Sequence, residues 1–380
     1  MTHNSTDSAG NPGNSNNPDN PDQPGVTVGA SNSGNTGNID EADLADNALT
    51  AIRTLAAGDF TALAAWFSGA GCRVIAPAPG MVQITPLSAG SDTMRLLVSV
   101  GVHGDETAPI AMLAALLQRL APAALRVELM LVVGNLAAIA AATRFVDADM
   151  NRMFSLPRGA LAGAADAARA DVIMAASAAF LAGPAAQRWH LDLHSAIRPS
   201  HHARFAVLPS GGAIGAERAA FIAWLGSAAI DAVVINDLPA PTFSAWTART
   251  CGAVSATLEL GQVAALGQHS QAPLRHTAAA LGRLLRALPL PPDSARPVNF
   301  QVAQEIVKHS AAFRMEIDAD TINFTPFAPG ALIATDGART ISAGATTEYL
   351  VFPNPRVLAG QRAGLMLVRD EVDAFNSPHQ

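Results

Sequence analysis

Short, continuously apolar runs alternate with longer Ala-rich segments of helical spacing over most of the chain. MRLLVSVGV (94–102), RVELMLVVGN (126–135), WHLDLHS (189–195), ARFAVLP (203–209), AVVIN (232–236) and ATLELG (256–261) have the length and content of strands buried on both faces. PIAMLAALLQRL, NLAAIAAAT, LAGAADAARADVIMAASAAFLA and AERAAFIAWLGSAAI separate them as helices, and LRHTAAALGRLLRAL follows the last. Ahead of this region, ADLADNALTAIRTLAA and FTALAAWF predict a helical section, and VIAPAPGMVQITPL a strand and turn. The alternation is that of an α/β layered domain. It stops at the proline cluster LPLPPDSARP (288–297). Beyond it, VNFQVAQEIVK, FRMEI, ALIAT, EYLVF and AGLMLV are short strands between Gly, Pro and Asp turns, which predicts a small all-β domain.

Residues 1–40 are a different material, rich in Asn, Gly, Ser and Pro and without Lys or Arg. Such a segment buries too little apolar surface to offset its ordering entropy, so a disordered tail is expected. The expected organisation is a tail over 1–40, a catalytic α/β domain over 41–296 and a β-rich domain over 297–380.

Composition narrows the partners. The 380 residues carry a net charge of −7, and only 14% are charged. With no basic run to neutralise phosphates, nucleic acid is excluded as a partner. The mean hydropathy is positive at +0.23, yet the longest apolar stretch, 129–143, includes Asn135, and 172–187 includes Pro184. Neither reaches the roughly 20 apolar residues of a spanning helix. No membrane partner and no signal peptide are expected, which points to the cytoplasm. Two cysteines, Cys72 and Cys251, make neither a disulfide framework nor a four-thiolate site and are expected to be free thiols. GGAIG lacks the spacing of a phosphate-binding loop.

Four stretches carry candidate chemistry. His103-x-x-Glu106 follows a buried strand, on the turn into the next helix. Active-site residues of α/β sheets collect at such strand ends, and a His and a carboxylate at this spacing can close on one metal ion. Taken alone, the pair is also read as an acidic helix start favoured by the dipole. In WHLDLHS, His190, Asp192 and His194 share one strand face. His194 sits where a third ligand belongs, Asp192 is placed to orient a ligand imidazole, and His190 reads as structural. TRFVDADMNRMF offers Arg144, Asn151 and Arg152, and the guanidiniums of the two arginines suit carboxylates. Glu259 closes an apolar strand, a costly place for a carboxylate that is neither paired nor working. A water-activating carboxylate is the part a zinc hydrolase would still need.

Together, GVHGDETAP, DMNRMF, RWHLDLHSAIR, FAVLP, TLELG and FPNPRVLAGQRAGLML resemble the succinylglutamate desuccinylase and aspartoacylase group of the zinc-carboxypeptidase-like superfamily. The match runs over roughly residues 45–368, and RWHLDLHSAIR with the carboxyl-terminal motif is closest to the desuccinylase branch. Asp105 stands where the group's GxHGNE motif has Asn. The resemblance implies a three-layer α/β/α zinc-carboxypeptidase-like domain with a mixed sheet and a smaller β-rich carboxyl-terminal domain. It implies one zinc ion (Zn2+) per subunit on His103, Glu106 and His194. It makes Arg144 the oxyanion stabiliser, Asn151 and Arg152 the pair for the amino-acid carboxylate, and Glu259 the general base. The implied reaction is hydrolysis of N2-succinylglutamate to succinate and glutamate, the last step of the arginine succinyltransferase route of arginine breakdown. That substrate has three carboxylates, and Arg198, close after His194, is the candidate for another of them, with a plain surface arginine as the alternative. An aspartoacylase-like deacylase of another N-acyl amino acid shares these residues and is the rival reading. A non-catalytic metal-binding protein is the more distant one. A homo-oligomer is compatible with all of them.

Overall fold

A computed structural model describes residues 41–212, 214–262 and 272–370. The expected tail over 1–40 lies outside the described residues. The chain opens with α1 (Glu41–Ala56) and α2 (Thr61–Gly69), then β1 (Arg73–Ile75), β2 (Met81–Thr85), β3 (Arg95–Val100), α3 (Ala108–Leu117), β4 (Glu128–Val133) and α4 (Leu136–Ala140). It continues with α5 (Ala165–Leu181), β5 (Arg188–Ala196), β6 (Arg204–Pro209), α6 (Ala216–Ser227), β7 (Ala232–Asn236), α7 (Phe243–Cys251), β8 (Val254–Gln262) and α8 (Arg275–Leu285). The β-rich part holds β9 (Val298–Val307), β10 (Phe313–Met315), β11 (Thr325–Phe327), β12 (Leu332–Asp336), β13 (Arg339–Ser342), β14 (Glu348–Val351) and β15 (Arg362–Arg369). Every strand and helix expected from the apolar pattern is present; α7, β11 and β13 are additional, and the single strand expected in VIAPAPGMVQITPL is the pair β1 and β2.

Twelve strands form one mixed sheet in the order β1-β2-β4-β3-β5-β8-β6-β7-β9-β15-β14-β11. Its centre, β4-β3-β5-β8, is parallel. The β-rich part does not stand apart from it. β9 pairs in parallel with β7 and antiparallel with β15, so the sheet runs on through the proline cluster. Only β10, β12 and β13 form a second, three-stranded sheet. Among the described residues, no helix is long and apolar enough to cross a membrane, and Cys72 and Cys251 are free thiols.

Alternation along the central strands sorts their side chains between two layers. Leu96, Val98, Val100, Leu191, Leu193 and Leu258 pack with Ile110, Leu113, Phe221 and Leu281 on one face. Leu97, Met130 and Val132 pack on the other with residues of α5 and α7, such as Ile173 and Phe243. This second face also carries the buried polar side chains of β5 and β8, and they lead to the strand ends where the candidate site lies.

Candidate active site

β3, β5 and β8 run parallel and in register, with Val100 beside Leu193 and His194 beside Glu259. Their carboxyl ends therefore bring the turn after β3, His194 and Glu259 together, as open α/β sheets do. The turn is shaped by glycine. Gly101 has φ +65°, and a Cβ on Gly104 would lie 2.2 Å from the Ala138 carbonyl carbon and 2.4 Å from the Ile139 nitrogen. The Gly104 N–H also donates to the Arg144 carbonyl at 3.1 Å, tying the β3 turn to the loop that carries Arg144. Gly104→Ala must push backbone aside, so it is expected to cost about 2 kcal/mol of stability and to drop metal content below one equivalent. Thermal melts and metal analysis check this.

His103, Glu106 and His194 are all buried, and one ligand atom from each lies within 4.8 Å of the others. Glu106 sits between the imidazoles, with Oε1 2.8 Å from His103 Nδ1 and Oε2 2.8 Å from His194 Nδ1. The Ser195 N–H donates to Oε2 at 3.0 Å, and Arg144 Nη1 donates to Oε1 at 2.7 Å. The far nitrogen of each ring faces a second carboxylate. His103 Nε2 is 2.9 Å from Asp149 Oδ1, and His194 Nε2 is 3.0 Å from Asp192 Oδ2, an ionic contact not aligned as a hydrogen bond. Burial alone would strip both imidazoles of their protons, but the carboxylates facing them outweigh it and raise both pKa values. Burial likewise works to raise Glu106 and Asp149, and the positive groups around them hold both well down. Two imidazoles and a carboxylate, each ring backed by an acid, are a donor set that fits a divalent metal.

Glu259 completes the group. It is 8% exposed, and its Oε2 has no hydrogen-bond partner among the described residues. Burial, reinforced by the negative charge of Glu106, pushes its pKa up to about 7. A carboxylate poised there, next to a metal-binding group, is suited to taking a proton near neutral pH.

Beneath the site runs a buried polar chain. Ser99 Oγ donates to Asp192 Oδ1 at 2.5 Å and lies 2.9 Å from His190 Nε2. His190 Nδ1 is 2.8 Å from Thr247 Oγ1, which is 2.9 Å from Ser255 Oγ. His190 thus has the structural role expected of it. Burial is the main cause that lowers its pKa to about 4, so it is neutral in the fold. The unfolded chain protonates this group near 6.5. Between those values the unfolded state binds more protons, so stability falls as pH drops from about 6.5 toward about 4. His190→Gln is expected to be less stable at pH 7 and to lose less on acidification than the parent chain, as paired urea titrations at pH 7 and 5 would show.

The other predicted residues divide. Arg144 joins the cluster directly. Arg152 flanks it, with Nε 3.8 Å from Asp149 Oδ2. Asn151 is buried and its Oδ1 accepts the Phe243 N–H at 3.0 Å, which fixes the start of α7. Arg198 makes no hydrogen bond or ion pair with the cluster among the described residues. Its Nη1 donates to the carbonyls of Ala319 and Thr321, each at 3.0 Å, and so staples the β5 end to the β-rich part. Asp149 had no role in the sequence reading, although it begins the DMNRMF motif. The acid two residues before Asn151 was the available signal. Asp105, the departure from the motif, lies 4.0 Å from Arg144 Nη1.

A mixed α/β sheet with a His–Glu–His group and a buried glutamate at its parallel strand ends has the layout of a metal-dependent hydrolase. Residues 92–288 match the succinylglutamate desuccinylase/aspartoacylase catalytic domain, and residues 295–370 match the AstE/AspA barrel-sandwich hybrid domain. The succinylglutamate desuccinylase of Burkholderia thailandensis is 40% identical over 299 residues, covering 77% of this chain and 85% of that protein. That of Burkholderia lata is 41% identical over 296 residues, covering 76% and 84%. Among solved structures, succinylglutamate desuccinylase from Vibrio parahaemolyticus aligns with TM-score 0.71 at 29% identity, covering 76% of this chain and 86% of that one. The enzyme from Chromobacterium violaceum aligns with TM-score 0.66 at 32% identity, covering 79% and 91%. The chain belongs to the succinylglutamate desuccinylase/aspartoacylase family.

Proposed function

We propose that this chain is a zinc-dependent amidohydrolase that cleaves N2-succinylglutamate to succinate and glutamate. The observation that carries the reading is Glu259, buried and with its Oε2 unpartnered among the described residues, beside Glu106 and His194 of the His103, Glu106 and His194 group. The names and coverage of the relatives support the substrate, and through it a place at the end of arginine breakdown by the succinyltransferase route, in the cytoplasm.

His103, Glu106 and His194 would hold one zinc ion. Zinc there supplies Lewis acidity, which lowers the pKa of a water and draws charge from a carbonyl oxygen. Glu259 takes the proton of the attacking water, so the oxygen adds to the amide carbon as hydroxide. Arg144 donates to the oxygen on which negative charge grows. Glu259 then passes its proton to the nitrogen as the C–N bond breaks, and the amine of glutamate leaves. Asp149 and Asp192 hold the two imidazoles in place throughout. Asn151 and Arg152 take the α-carboxylate of the glutamate half.

Purified protein should contain about one zinc per chain. Dialysis against a chelator should abolish succinate release, and added zinc should restore it. Full turnover after the metal is gone, or preference for N-acetylaspartate over succinylglutamate, would overturn the reading.

A further inference from the structure

Arg144 and Asp149 stand on a segment, 143–149, that is neither helix nor strand. Phe145, Val146 and Asp147 are exposed, so packing gives this stretch little hold. At Arg144 it is tied by the Gly104 N–H, which donates to the Arg144 carbonyl. Between Arg144 and Asp149 the hold comes from a buried carboxylate. Asp166, in the first turn of α5, is 3% exposed. Its Oδ2 accepts the N–H groups of Asp147 at 3.4 Å and Ala148 at 3.5 Å. The grip is reciprocal, because Asp147 Oδ2 accepts the Ala165 N–H at 2.9 Å, at the start of α5.

The other oxygen of Asp166 faces the opposite side of the site. Its Oδ1 accepts Asn135 Nδ2 at 2.6 Å. Asn135 is buried just after β4. Its Oδ1 accepts the Ala138 N–H at 3.1 Å and so caps α4, and its own N–H donates to the Gly101 carbonyl at 2.7 Å. Gly101 begins the turn that carries His103 and Glu106, and Gly104 of that turn lies close against Ala138 and Ile139 of α4. Arg169, one turn further along α5, fastens the same corner, with Nε donating to the Gly134 carbonyl at 2.8 Å and Nη2 to the Val133 carbonyl at 2.7 Å. Asn135 and Asp166 therefore bridge the turn of His103 and Glu106 to the segment of Arg144 and Asp149. A buried carboxylate is costly unless its oxygens are bonded, but it is the side chain that can accept on both sides at once.

We propose that Asp166, oriented by Asn135, is a positioning residue of the active site, which sets Arg144 and Asp149 against His103 and Glu106. It acts through those groups and not on the substrate. What the positioned groups then do rests on the function proposed above.

Asp166→Asn leaves one acceptor oxygen where two are needed, so half of the bridge is lost. In the zinc-loaded protein, kcat on succinylglutamate should fall about 10- to 100-fold, the scale of a misplaced catalytic group, with KM changed less. Zinc affinity, read by competition with a chelator, should fall about 10-fold because Asp149 backs His103. Amide hydrogen exchange should quicken about 10-fold at Asp147 and Ala148 and keep the parent's rate at Leu131 within β4. An equal rise at all three amides marks a general loss of stability and would overturn the proposal, as would unchanged exchange and zinc affinity. The reversed pair, Asn135→Asp with Asp166→Asn, restores every donor and acceptor. The amide at 166 donates to position 135 and accepts the two N–H groups of the segment, while the carboxylate at 135 still caps α4. This double variant should return exchange, zinc affinity and kcat to near the parent's values, and its failure to do so would overturn the bridge. If Asp166→Asn does not fold, the reversed pair decides alone by the same criteria. Exchange and zinc affinity need no substrate, so a parent protein without turnover on succinylglutamate would count against the proposed function and not against the bridge.

Discussion

Glu259→Gln is expected to lower kcat on succinylglutamate by about 10³-fold, within the range a positioned general base supplies, while zinc content stays at about one per chain. The substitution keeps the size and planarity of the side chain but cannot take a proton. Glu259 is not among the three residues proposed to hold the metal, so occupancy and KM should be nearly unchanged. The pattern of kcat lost without KM marks an interaction used only on the way to the transition state. In the metal-free chain burial and Glu106 lift the pKa of Glu259 to about 7. A bound cation would draw it down, so the rate of the zinc enzyme should rise with pH along a limb set at or below about 7. Near-normal turnover in Glu259→Gln would remove Glu259 from the mechanism and leave the metal group without a base.

The strands that build this site were legible because β3, β5 and β8 are buried along most of their length and read as runs in which apolar residues predominate. The same continuity made the exceptions visible: His194 and Glu259 are expensive residues in such runs. What lay beneath them was harder to see. α7 reads FSAWTARTC, and its buried Ser244 and Thr247 break the apolar helical period. Those hydroxyls are buried because Thr257, His190 and Ser255 need partners, a reason that exists only after folding. β11 and β13 are too short to show a period. The pairing of β9 with β7 crosses a proline-rich linker, and no local pattern encodes a partner strand. Arg198 shows the same divide: it follows His194 closely in sequence, yet beyond the end of β5 its Nη1 donates to the Ala319 and Thr321 carbonyls.

Arg144→Gln should be the next most damaging substitution, with kcat lowered by about 10²- to 10³-fold, as when an oxyanion donor is removed. Arg144 offers a fork of N–H donors, of which Nη1 is held by Glu106 Oε1 at 2.7 Å. Burial would lower its pKa, but Glu106 and Asp149 more than compensate, so it stays charged throughout the working range. That contact gives Arg144 two ways to act: on the developing oxyanion, or on the metal group through Glu106. The two are separable. If the oxyanion role dominates, zinc affinity falls little and kcat falls steeply. If Arg144 chiefly orients Glu106, zinc affinity falls by about 10- to 100-fold, and saturating zinc restores the rate. Arg144→Lys sharpens the distinction, because a lysine keeps the charge but not the planar fork. It should recover only a minor part of kcat, since the transition state calls for a donor at a fixed place and a flexible ammonium does not hold one there.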